Sequence, residues 1–145
     1  MGQETESVKA LNSLLRGEIS AVETYQQAVE KIKNIQARTQ LQECEVSHQQ
    51  RVSKLKQRIR SLGAEPAEGS GAWGVFAKLA EGSAKLLGES SAIAVLEEGE
   101  DHGLKEYRSE LEHLDPQNRQ FVSAELLPEA ERTHSRLSAL KKTMH

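Results

Sequence analysis

One cysteine, Cys44, stands among the 145 residues. That excludes an internal disulfide, a four-cysteine zinc or iron site, and an iron–sulfur cluster held by the protein. Prolines number three and aromatics make up 3% of the chain. What fills their place is Ala, Leu, Glu, Gln, Lys and Arg, a helix-forming composition. No apolar run approaches the roughly 20 residues of a membrane span. The segment Met1 to Lys9 is polar and acidic, without the apolar centre of a signal peptide. Positive charge is not in excess: the net charge of -3 argues against nucleic acid as a main partner. These absences lead to the expectation of a soluble, cytoplasmic chain of one domain, 1–145, long enough to bury a core.

What is present is helical periodicity. Helices are expected over about 6–33, 37–61, 90–113 and 117–142, with a short fifth helix over 73–87 around Trp73 and Phe76. Leu62-Gly63 followed by Glu65-Pro66 should end the second helix. Asp115-Pro116 should break the third from the fourth, and Pro128 could kink the fourth. Two tightly linked pairs are separated by the long stretch 63–88. Two antiparallel hairpins joined by one long crossover make an all-α, ferritin-like four-helix bundle.

Ionisable residues interrupt the apolar stripes of all four long helices. The first reads Val8, Leu11, Leu15, Glu18, Val22, Tyr25, Val29, Ile32. The second reads Leu41, Glu45, His48, Val52, Leu55, Ile59, Leu62. The third reads Ile93, Leu96, Glu100, Leu104, Tyr107, Leu111, Leu114. The fourth, more loosely spaced, reads Leu127, Glu131, His134, Leu137, Leu140, Met144. Carboxylates placed where leucines belong need a partner that offsets their desolvation. A Glu-x-x-His puts a carboxylate and an imidazole on one helix face. Two such pairs, Glu45 with His48 and Glu131 with His134, plus Glu18 and Glu100, make the ligand set of a dinuclear carboxylate bundle. Four carboxylates would neutralise two divalent ions, two irons first, with manganese or zinc as alternatives. A third pair, Glu110 with His113, lies about 15 Å up the axis from Glu100 and is read as surface charge.

The halves also resemble each other. Gly17-Glu18 and Gly99-Glu100 are each followed by a tyrosine seven residues after the glutamate, Tyr25 and Tyr107. Both tyrosines are read as core aromatics whose hydroxyls could bond the carboxylates, and Glu97 as an alternative ligand or neighbour of the site. Cys44 is read as a small buried apolar residue.

The run Leu11 to Glu18, continuing to Tyr25, resembles the first helix of bacterioferritins. The helices carrying Glu45 with His48 and Glu131 with His134 resemble those of bacterioferritin and rubrerythrin, and Gly99-Glu100 through Tyr107 that of rubrerythrin. Over nearly its whole length the chain looks like a family of short bacterial ferritin-like proteins of undetermined function. That likeness implies Glu45 and Glu131 bridging two metals, Glu18 with His48 capping one and Glu100 with His134 the other. Three departures narrow it. One cysteine cannot build the rubredoxin iron, Gly103 stands where rubrerythrins carry a further glutamate, and Val46 stands where bacterioferritins hold haem through methionine.

Two functions follow from these readings. One is a di-iron protein, with ferroxidase or oxygen- or peroxide-reducing activity, whose partners are metal ions and the oxidant. The other is a non-enzymatic helical scaffold or interaction module with a structural, vestigial or empty metal site. Assembly into a homo-oligomer stays open on either.

Overall fold

A computed structural model describes residues 2–70 and 88–143, with side chains from Glu6 onward. The expected short helix over 73–87, with Trp73 and Phe76, lies outside the described residues, as does Met144. Apart from the links at 30–34, 62–70 and 114–115 the described chain is helical: α1 (Gly2–Val29), α2 (Ile35–Ser61), α3 (Gly88–Glu110), α4 (Pro116–Phe121) and α5 (Leu127–Thr143). A π-helical turn, Val122–Leu126, joins α4 to α5 with right-handed helical dihedrals at both ends, so the two run on as the bundle's fourth helix. The expected fold class, an all-α four-helix bundle, is what forms.

Local chemistry sets the helix ends. Asn34 caps α2, its side chain accepting from Ala37 N at 2.9 Å, which satisfies one donor of the first turn. At the other end Gly63 adopts φ +79°. Its amide bonds Arg60 O at 2.9 Å and the Ala64 amide bonds Ile59 O at 3.2 Å, the paired bonds of a glycine-terminated helix. Asp115 caps α4 through Asn118 N at 2.9 Å, with Pro116 in the first turn. A 3-10 turn, Leu111–His113, finishes α3.

α1 packs along α2, α3 along α5, and α1 against α3; α2 and α5 touch more lightly. Cross-links run in opposite sequence directions. Ser7 meets Asp115 while Tyr25 meets Glu100, so α1 and α3 are antiparallel. Arg58 meets Asn118, Ser47 meets Glu129 and Glu43 meets Arg136, so α2 is antiparallel to the fourth helix. The apolar core is divided. One cluster gathers around Tyr25, Ile32, Leu41, Ile93 and Leu137. The other gathers around Leu11, Leu15, Leu55, Leu104 and Leu126. Between them, along every helix, lies a polar layer: Glu18, His48 with Arg51, Glu100 and Thr133, all buried.

Candidate functional site

Each of the four bundle helices sends one or two side chains into this layer. Glu18 from α1 and Glu100 from α3 are each 4% exposed, and His48 and Arg51, one turn apart on α2, 4% and 2%. Spacing of three residues on one helix puts the imidazole and the guanidinium on one face. His48 Nδ1 bonds Glu18 Oε1, and His48 Nε2 lies 2.7 Å from Glu100 Oε2. Arg51 Nη1 donates to Glu18 Oε2 at 3.1 Å and Nη2 to Thr133 Oγ1 at 3.0 Å. Thr133 in turn donates to Glu100 Oε1 at 2.7 Å. The tyrosines cross over: Tyr25 on α1 donates to Glu100 on α3, and Tyr107 on α3 to Glu18 on α1.

The electrostatics close on themselves. Burial alone would raise the Glu18 carboxyl, but Arg51 and His48 outweigh it and hold the group below the ordinary carboxylate range. Glu100 shows the same contest, won chiefly by His48, and is held at about 2. Burial and Arg51 would both lower His48, yet Glu100 and Glu18 lift it above its usual value. Burial and Glu100 push Tyr25 up, and burial and Glu18 push Tyr107 up, so both stay protonated donors. Two carboxylates thus face one guanidinium and one imidazolium. With His48 carrying its proton between the two carboxylates the charges balance, and their mutual attraction offsets the desolvation of the buried groups.

Of the six expected ligands the structure brings together three, Glu18, His48 and Glu100. Glu45 is half-buried at the edge of α2 and accepts from Gln49 at 3.0 Å. Glu131 is exposed and pairs with Arg108 at 3.4 Å. His134 is half-buried, 3.6 Å from Asp101. Glu97 lies off the layer too, 3.4 Å from Lys141 Nζ. Tyr25 and Tyr107 do bond carboxylates, as expected. Glu110-x-x-His113 is surface charge, with His113 exposed and paired to Glu6 at 3.0 Å. Cys44 is fully buried, its thiol pushed up to about 12 by burial and then by Glu100.

Arg51 and Thr133 were missing from the sequence reading, for different reasons. On α2 two stripes obey the same alternation of three and four. One takes Glu45 and Val52, the other Cys44 and Arg51, and they share Leu41, His48, Leu55 and Ile59. Apolarity favours Val52, but the fold selects Arg51. On the fourth helix the signal was there. Val122, Leu126, Ala130, Thr133, Leu137 and Leu140 alternate properly and are all buried. The stripe through Glu131 and His134 reaches Leu140 by three successive steps of three. At about 100° per residue these leave Glu131 some 180° round the helix from Leu140.

A dinuclear metal centre does not fit these residues. Two of its four carboxylates and one of its two imidazoles lie elsewhere. Both nitrogens of His48 are engaged by carboxylates. A permanently charged guanidinium sits 3.1 Å from Glu18, where it opposes a second cation. Among the described residues no group of three or more His, Cys, Asp or Glu side chains is placed to hold a metal ion. Among them, too, no helix is long and apolar enough to cross a membrane.

Comparison with known proteins agrees with the fold. The chain is similar to a protein of Anabaena variabilis described as a two-domain protein containing DJ-1/ThiJ/PfpI-like and ferritin-like domains. The TM-score is 0.77 at 18% identity, over 97% of this chain and 37% of that one. The chain therefore spans well under half the length of that relative, and the likeness carries the ferritin-like fold alone. No curated protein matches the chain. The family described as a domain of unknown function, DUF2383, matches residues 6–113, well over half of the chain, and the chain belongs to that family.

Proposed function

We propose that this chain is a ferritin-like helical domain that works without a metal, as a scaffold or interaction module whose centre is an internal ion cluster. The observation that carries the reading is Arg51, 2% exposed and bonded to both Glu18 and Thr133. Its guanidinium and the His48 imidazolium supply the two positive charges that a divalent ion would otherwise bring to a pair of buried carboxylates. Metal-dependent oxidation needs open coordination positions on the ion. Here Arg51, His48, Thr133 and the tyrosines occupy three of the roughly four acceptor directions on each carboxylate. The relative from Anabaena variabilis carries a ferritin-like domain beside a second domain, an arrangement that suits a bundle acting alongside a partner.

The rival reading is the di-iron oxidase that the sequence suggests. It needs Glu45, Glu131 and His134 to swing inward and Arg51 to leave. Anaerobic loading with Fe(II), desalting and iron determination separates the two. The scaffold reading predicts well under one iron per chain and no oxygen or peroxide consumed. Two irons per chain, lost in Glu45→Ala and Glu131→Ala, would establish the oxidase in its place.

A further inference from the structure

One nitrogen of Arg51 has no partner. Nη1 donates to Glu18 and Nη2 to Thr133, whereas Nε is buried and has no protein partner. An orphaned guanidinium N–H in the interior costs the desolvation of a charged donor, so it calls for an acceptor. A cavity of about 20 Å³ adjoins the cluster, and Arg51, Glu18, His48 and Glu100 help to line it. The acceptor capacity on its wall can be counted. A carboxylate offers about four lone-pair directions. Glu18 uses three, on His48, Arg51 and Tyr107. Glu100 also uses three, on His48, Tyr25 and Thr133. One direction on each carboxylate remains.

Cavity size then decides the occupant. One water needs about 10–15 Å³ of such space and two to four polar partners. The cavity has room for one water and not for two, and none for an organic substrate. Access is equally defined. Of the residues that line the cavity, only Gly103 and Glu106 are partly exposed; the rest are buried. A β-carbon built on Gly103 would meet nothing within 4 Å, so the missing side chain leaves the α3 wall open at that point.

We infer that a single water molecule is a fixed member of the ion cluster, accepting from Arg51 Nε–H and donating to Glu18 or Glu100, and that it exchanges with solvent past Gly103. The water gives Nε, the one nitrogen of the guanidinium without a protein partner, its acceptor. It also gives a core of titratable groups one narrow route for protons to and from the surface. This inference rests on the geometry of Arg51 and the cavity rather than on the scaffold reading, which would stand if it failed.

The test uses the full chain. A high-resolution crystal structure should show density within hydrogen-bond distance of Arg51 Nε, and NMR a water cross-peak to the assigned Arg51 Hε. A cavity free of density while other buried waters are resolved, or an Hε without the cross-peak, would overturn the assignment. Gly103→Leu covers the opening from a position with free space. In that variant exchange of Hε with solvent should slow by about tenfold or more while the Glu18 and Thr133 bonds persist. Unchanged exchange in the folded variant would overturn the route past Gly103. If the variant does not fold, Gly103→Ala, which stays within the open space, is expected to slow exchange to a smaller degree, and no slowing there counts against the route equally.

Discussion

Taking a guanidinium out of water costs several kcal/mol unless its charge and hydrogen bonds are matched inside. Arg51 is matched by Glu18 and Thr133. Arg51→Met should therefore cost about 3–5 kcal/mol, because it strands Glu18 as an under-compensated buried charge. Glu131→Ala removes a half-exposed pair with Arg108 and should stay within about 0.5 kcal/mol. Urea denaturation of the two variants checks the contrast; equal losses would mean that Glu131 also serves the interior. The cluster also fixes a pH profile. His48 is raised in the folded chain from 6.5, so its contribution is complete below that value and is lost as pH rises through the folded one. Glu18 and Glu100 are lowered from 4.5, Glu100 to about 2, so their contribution is complete above 4.5 and is lost as pH falls through the lowered values. The denaturation midpoint should peak between pH 4.5 and 6.5 and decline on both sides. A profile unchanged from the acid window to alkaline pH would contradict it. At this scale Glu18, His48 and Glu100 were legible because a polar residue in an apolar stripe is conspicuous. Arg51 was not: a long cation beside a valine reads as the solvent edge of a helix, and only tertiary packing turns it inward.

The ends of elements were more legible than their faces, because capping is local chemistry. Gly63 at the end of α2 and Asp115-Pro116 before α4 act where the sequence places them. Asn34 completes the soft link between α1 and α2 with a side-chain cap. Gly63→Ala should cost about 1–2 kcal/mol, since the space around it is open and only the positive φ resists a β-carbon. Asn34→Ala should cost about 1 kcal/mol through the lost cap. Thermal or urea unfolding measures both, and a neutral Gly63→Ala would mean that the turn can relax. The π turn at Val122–Leu126 is the feature that single-residue propensities hide. It lies just ahead of Pro128, where a kink was expected. The turn carries Val122 and Leu126 into the core, and the stripe they begin runs on through Ala130 to Thr133. A stripe begun at Leu127 instead misses that start and arrives at His134 in place of Thr133.

Across the whole molecule the design is a polar layer between two apolar clusters, with each half of the bundle supplying a glutamate that the other half's tyrosine completes. The duplicated Gly-Glu and tyrosine pattern foreshadowed this reciprocity, and the long crossover foreshadowed the ferritin-like topology. The expectation of a metal came from the same layer. A row of buried carboxylates demands positive charge, but sequence alone does not say whether an ion or the chain's own cations provide it. Thermal unfolding of the purified chain in excess chelator and in excess Fe(II) under anaerobic conditions decides between them. A resident metal at 100 times its dissociation constant stabilises the folded state by about 2.7 kcal/mol, which for a domain of this size moves the midpoint by at least ~5 °C. An internal ion cluster predicts midpoints that agree within about 1 °C, well inside that shift. A rise of that larger size with Fe(II), reversed by chelator, would contradict the account.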